Sequence, residues 1–304
     1  MNEIIAESAV KRRRYWIDEI VQLSGHFGAD SSRMGAKLSD EIRDEGLTAL
    51  LDHLRLCSAI PESYGHDTSE EKLYSKYTDA LISATYSYFG LNSMVLAERA
   101  DVAGVEIVGN DYSFVADAKV FRLSRTAKNQ KDFKIQAMDG WKRGKPYAML
   151  VCPLYQLPSR NSQIYQQACS RNVCIFSYSH LSVLAQLVDS EGSAAVTDLL
   201  HNVFKTVQSL NPSKDAIAYW QAVNSTMLDY NGPIDKLWET EKTAMIESIR
   251  ITKDIAFEHY ARQRESIMRL SHKEALKQLI GMNKIDNRIA TIKAVSHNLL
   301  MGPS

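Results

Sequence analysis

The sequence predicts an α/β (α+β) chain: a mixed β-sheet core flanked by helices, with helical N- and C-terminal regions. Three observations carry this. The apolar residues take a strand period between Val102 and Val120, short buried strands alternate with helices as far as Val188, and a helical period dominates on either side. An initial hairpin followed by alternating strands and helices implies a mixed sheet covered on both faces, with the hairpin at one side.

Along the N-terminal part, Ile17, Ile20, Val21, Leu47, Leu50, Leu51 and Leu54 recur at helical spacing, interrupted around Ser24-Gly25 and Gly28 and closed by Pro61 and Gly65. Thr68-Ser69-Glu70-Glu71 has the form of a capping box and starts a helix with Leu73, Tyr77, Ala80, Leu81, Ala84 and Tyr88 on its buried face, ended by Gly90. Val102–Val108 and Tyr112–Val120 then read as a hairpin about Gly109-Asn110-Asp111. Phe133, Ala137 and Trp141 fall four apart and predict a helix that Gly144-Lys145-Pro146 stops. Tyr147–Val151 and Val173–Ser177 read as buried strands, with helices over Ser162–Cys169 and His180–Val188. Beyond Asp189 the strand signal fades, a long amphipathic helix is expected from Ile234 to Leu270, and Ser271-His272-Lys273-Glu274 is a second capping box whose helix Gly281 can end. Residues 1–65 are thus expected as a helical N-terminal region, 66–190 as the core, and 191–304 as a helical C-terminal region and a candidate for dimer contact.

Composition is that of a globular protein, with 45% hydrophobic and 24% charged residues over a length of 304. Lys plus Arg equals Asp plus Glu at 36 each, so any surface for nucleic acid has to be local, in Lys11–Arg14 or in the run from Arg122 to Lys134. Cys57, Cys152, Cys169 and Cys174 lack zinc-site spacing and read as reduced, buried thiols. The N-terminus has no continuous apolar stretch for a signal peptide or membrane anchor, so a cytoplasmic protein without membrane contact is expected.

The chemistry concentrates in Phe114-Val115-Ala116-Asp117-Ala118-Lys119, where an acid and a lysine two apart project from one face of an apolar strand. Burying them requires pairing, solvent access or a metal. Phosphodiester hydrolysis supplies a reason, because carboxylates hold a hard divalent cation while lysine orients the attacking water and stabilises charge on phosphate oxygens. A surface ion pair on an edge strand is the bland alternative. A further acid is needed from the preceding strand, and folding the hairpin about Asn110 sets Asp117 opposite Ala103 or Gly104, flanked by Asp101 and Glu106 at similar offsets. Glu71 on the helix before is another candidate ligand, besides its capping role, as are Glu70 and Asp79. After the strand, Arg122, Ser124, Arg125, Lys128, Asn129, Gln130 and Lys131 mix cations with hydroxyl and amide groups, a combination suited to phosphates and base edges in a DNA groove. Lys11–Arg14 reads as a polar helix face or a phosphate-contacting arm.

The stretch Val115–Lys119 continuing through Phe121–Lys134, with Glu71-Lys72-Leu73, Ser75-Lys76, Asn172–Ser177 and His180-Leu181, resembles the HindIII-like type II restriction endonucleases of the PD-(D/E)xK superfamily. The similarity runs from Ser69 to Leu187. It implies a restriction-endonuclease-like core and a homodimer that cuts double-stranded DNA at the palindrome AAGCTT, with Mg2+ as cofactor, and leaves cohesive 5′-phosphate ends. Asp117 and Lys119 match the motif directly. The first acid, an Asp ahead of the strand in the family, falls here to Asp101 or Glu106. Two other readings are a repair or structure-selective nuclease of the same superfamily, and a DNA-binding protein without catalysis, which would have no use for Asp117 and Lys119 together.

Overall fold

A computed structural model of the chain describes residues 3–22, 24–96, 102–125, 130–230 and 232–293. Three helices lead, α1 (Glu7–Val21), α2 (Phe27–Glu45) and α3 (Leu47–Leu56). Gly46, at φ 62°, lets the chain break between α2 and α3, a corner that side-chain periodicity alone does not announce.

The middle of the basic run of α1, Arg12 and Arg13, turns inward, while Lys11 and Arg14 stay exposed on the polar face that the sequence suggests. The Arg12 guanidinium sits among Glu41, Glu45 and Asp52, with Nε donating to Glu41 at 2.6 Å. Arg13 is only 6% exposed; it donates to the Tyr74 hydroxyl and to the carbonyl of Ala59 and lies over the Tyr74 ring. Glu41 also accepts from the Trp16 indole at 2.7 Å and faces the buried His53 ring, whose Nδ1 meets the Tyr77 hydroxyl.

The capping sequence starts α4 (Ser69–Tyr88) as expected. The Thr68 hydroxyl accepts from the amide of Glu71, and the Glu71 carboxylate accepts from that of Asp67. Past α4 the chain turns at Gly90, φ 86°, into β1 (Asn92–Val95), an edge strand whose polar residues and alternating exposure hid it in the sequence. The hairpin follows as β2 (Val105–Val108) and β3 (Ser113–Ala118), with Val105 opposite Ala116 and Val108 opposite Ser113.

Two parallel strands complete the sheet in chain order. A 3-10 turn (Gln130–Phe133) and α5 (Ile135–Trp141) lead to β4 (Tyr147–Val151), and α6 (Gln163–Ser170) leads to β5 (Val173–Phe176). The strand order is β1-β2-β3-β4-β5, antiparallel up to β3 and parallel from β3 to β5. Every residue of β4 and β5 is buried, which requires cover on both sheet faces. The open edge of β5 is met by one side chain, because the Tyr219 hydroxyl accepts from the amide of Ile175 at 2.7 Å and donates to its carbonyl at 3.1 Å.

The helix expected over His180–Val188 runs on as α7 (Tyr178–Ser209), broken at Gly192, with the Ser177 hydroxyl as its cap. Phe204 of α7 and Tyr86 of α4 both pack their rings against Phe114 of β3, at 4.9 and 5.1 Å between centroids. Then come α8 (Ala216–Leu228), α9 (Ile234–Met268), α10 (His272–Met282) and α11 (Ile285–Lys293). The box at Ser271 and Glu274 forms as expected, although α10 runs through Gly281 to Met282. The chain divides into two compact units, Met1–Ala256 and Phe257–Ser304.

Burial alone would raise the Glu41 carboxyl, but donors from His53, Trp16 and Arg12 outweigh it and hold the group at about 2, below its ordinary 4.5. A depressed carboxylate stabilises the fold above its unfolded value, and that contribution disappears as pH falls from 4.5 towards 2. Glu41→Gln should therefore flatten the acid limb of the stability curve over this window and cost about 1–2 kcal/mol at neutral pH, allowing for partial exposure. Urea unfolding at several pH values reads both effects, and an unchanged acid limb would refute the assignment.

Candidate active site

Asp117 lies near the end of β3 and is 8% exposed; Lys119 follows just past the strand, where its amide still donates to the Val151 carbonyl at 2.7 Å. Their side chains share a strand face and form an ion pair through Oδ2 of Asp117.

The second acid comes from α4. Asp79, on the buried side of the helix, accepts from the amide of Ala118 at 3.5 Å, and its Oδ2 is 3.6 Å from Lys76 Nζ. Its carboxylate occupies the space beside Gly104 so closely that a Cβ there would stand 2.3 Å from Oδ1. Gly104 is needed for that close approach. Burial, and after it the charge of Asp117, push the Asp79 carboxyl up to about 7, against Lys76 and Lys119. Lys76, Asp79, Asp117 and Lys119 thus form one electrostatically linked group, with two like charges held together at its centre.

Other expected site residues fall elsewhere. Glu106 stands opposite Val115, further back along the hairpin, and pairs with Lys145 at 3.0 Å. Glu71 is taken up by the start of α4 and by Arg122, 3.2 Å away. Asp101, Lys128 and Asn129 lie outside the described residues. Among the described residues, no group of three or more His, Cys, Asp and Glu side chains forms a ready metal cluster.

The basic segment is anchored to the body through the loop before α4. Arg122 donates to the Gly65 carbonyl at 2.5 Å, and Glu62 accepts from the amide and hydroxyl of Ser124 at 2.9 and 2.6 Å. Arg125 pairs with Asp132 at 2.7 Å and lies over the Phe121 ring, while Gln130 and Lys131 open the 3-10 turn. The roles of Lys76 and Glu62 have no counterpart in the sequence reading. An acid inside an apolar helix stripe was the available signal for Asp79, and its neighbour Lys76 could have been found from the same stripe.

A mixed sheet whose third strand carries an acid and a lysine, joined by an acid from the preceding helix and followed by a basic segment, defines a restriction-endonuclease-like nuclease core. The HindIII restriction endonuclease family matches residues 14–296, and the type II restriction enzyme HindIII of Haemophilus influenzae is 32% identical over 254 residues, 80% of this chain and 82% of that protein. The chain belongs to the HindIII restriction endonuclease family and is a site-specific deoxyribonuclease. No described helix is long and apolar enough to cross a membrane.

Gly104→Ala should displace the Asp79 carboxylate and reduce DNA cleavage at least about tenfold, and Asp79→Asn should do the same. Because both changes act on one group, the double variant should be little worse than either single one. Multiplicative losses in single-turnover rates would show that Gly104 does not act through Asp79.

Proposed function

We propose that this enzyme hydrolyses both strands of double-stranded DNA at the palindrome AAGCTT in a magnesium-dependent reaction that leaves 5′-phosphate ends. The observation that carries the chemistry is the crowding of Asp79 against Asp117 beside Lys119. The charge of Asp117 raises the proton affinity of the buried Asp79 carboxyl, and a hard cation held by the two would relieve that crowding. Magnesium keeps several waters and is often held by one or two carboxylates, so Asp79 and Asp117 suit it without a larger cluster. When bound, the cation supplies Lewis-acid polarisation of a phosphate oxygen and a more acidic water.

The remaining work falls to the chain itself. Lys119 Nζ, tethered by Asp117, orients the attacking water and sets its positive charge against the phosphate oxygens as they gain charge. The water oxygen bonds to phosphorus and the bond to the 3′ oxygen breaks. Arg122, Ser124, Arg125, Lys128, Asn129, Gln130 and Lys131 contact phosphates and base edges, which brings the scissile bond to the pair. For the first acid ahead of β3 we favour Asp101, because Glu106 is held by Lys145. The cytoplasm, where its DNA substrate lies, is the proposed site of action, in keeping with four cysteines that are all buried and unpaired.

A palindrome presents the same bases to two protomers related by a two-fold axis, so we assign the active form as a homodimer. The 191–304 region supports this. α10 and α11 bury no residue of their own, yet expose Leu279, Met282, Ile285 and Ile292, and helices this short need packing to be stable in water. Trp238 of α9, by contrast, packs edge-on against His180 of its own fold.

Asp117→Ala and Lys119→Ala should each abolish magnesium-dependent cleavage of an AAGCTT duplex while leaving folding and specific binding largely intact. Asp101→Ala should match them and Glu106→Ala should retain most activity. Substantial cleavage by the Asp117 or Lys119 variant would remove this site from the chemistry, and an active Asp101 variant would assign the first acid elsewhere. Sequencing the cut ends tests the site and the position of the phosphate.

Sedimentation at low concentration, with and without the duplex, should give a dimer. A monomer in both conditions that still cuts both strands in one binding event would overturn the assembly.

A further inference from the structure

Gln156 belongs neither to the acid–lysine group nor to the basic segment, yet both ends of its amide are committed to one residue between them. Its Oε1 accepts from the amide of Phe121 at 3.0 Å, its Nε2 donates to the carbonyl of Phe121 at 2.7 Å, and the residue is 1% exposed. A neighbouring β-strand makes the same pair of bonds. Here one side chain supplies them, from a 3-10 turn (Leu154–Gln156) that begins after β4 has ended at Val151.

On its other side, Phe121 forms a parallel bridge to Ala59, and its carbonyl also accepts from the amide of Ile60 at 3.3 Å. Ala59 is braced in turn by Arg13, at 2.6 Å on its carbonyl. Phe121 follows Lys119 by two residues and directly precedes Arg122, and its ring supports the Arg125 guanidinium at 4.8 Å. Whatever fixes the Phe121 backbone therefore fixes the distance between the catalytic lysine and the cations that hold DNA.

We propose that Gln156 is a positioning residue for cleavage: it locks the Phe121 backbone so that Lys119 and the Arg122–Arg125 segment address one phosphodiester in fixed geometry. The inference rests on the reading of Asp117 and Lys119 as the cleavage site and of the following segment as DNA-facing. Without the amide, the buried N–H of Phe121 has no acceptor and the chain beyond β3 is held from one side only. Misplacement of a reacting group by about 1 Å costs on the order of a hundredfold in rate.

Two substitutions test this. Gln156→Met keeps the volume and removes both bonds. Gln156→Glu keeps the acceptor but loses the donor while ionised, and regains the donor on protonation, which burial favours. The full chain is used throughout. Each variant should lower single-turnover cleavage roughly 10- to 100-fold while binding of the AAGCTT duplex without divalent cation changes by less than about threefold, since phosphate contacts dominate affinity. The Gln156→Glu rate relative to the unsubstituted enzyme should recover as pH falls, a response that a merely structural loss would not give.

Amide exchange at Phe121 and tryptic cleavage after Arg122 and Arg125 should both accelerate in Gln156→Met, with the remaining protein as resistant as before. Cleavage within about twofold of the unsubstituted enzyme, on the scale of ordinary surface changes, would overturn the proposal. A Gln156→Glu ratio that stays low at every pH, or unchanged exchange at Phe121 in Gln156→Met, would do the same. If the unsubstituted enzyme failed to cut DNA, the reading of the site would fall, and the exchange and trypsin measurements would still decide whether Gln156 fixes the segment.

Discussion

Two carboxylates held together in a buried cleft are the constraint around which this molecule is arranged. Asp79 and Asp117 arrive from different elements, a helix and the middle strand, and burial together with the charge of Asp117 makes Asp79 harder to ionise. Keeping them together requires a rigid frame and nearby positive charge. Lys119 and Lys76 supply the charge, and Gly104 leaves the room by having no side chain to push Asp79 away. On the proposed function, such a pair is where a cation would be held.

The rigid frame depends on side chains that finish hydrogen-bonding patterns where strands run out. Tyr219 closes the edge of β5, Gln156 extends the sheet beyond β3, and Arg13 braces the loop on the other side of Phe121. A buried backbone group without a partner is costly, so each of these side chains is fixed in place by the group it satisfies. The leading helices take part in the same way through a few inward charges, among which Arg12, paired with Glu41 and Asp52, ties α1 to α2 and α3.

Holding the basic segment against the body also neutralises part of it. Glu71 and Asp132 face Arg122 and Arg125, and on the proposed function DNA phosphates would compete with these carboxylates. Replacing a neutralised partner with a phosphate exchanges one ion pair for another, which suits adjustment to a particular site better than indiscriminate adhesion to any duplex. The balanced net charge of the chain leaves no broad basic field, so an affinity for DNA would have to be local.

The sequence by itself determined the mixed core, most of its helices and strands, the caps at Thr68 and Ser271, and the placing of Asp117 and Lys119 on one strand face. Periodicity, capping residues and an acid–lysine pair on an apolar strand are local signals, written within a few consecutive residues. Tertiary structure alone decided which helix acid joins them. Asp79 and Glu71 are both acids of α4, and only the packing of α4 beside Gly104 and Ala118 sets Asp79 next to Asp117 while Glu71 turns to Arg122. It also turned Arg12 and Arg13 inward and brought Gln156 onto Phe121, because contacts between residues far apart in the chain depend on how elements dock, which no local pattern encodes.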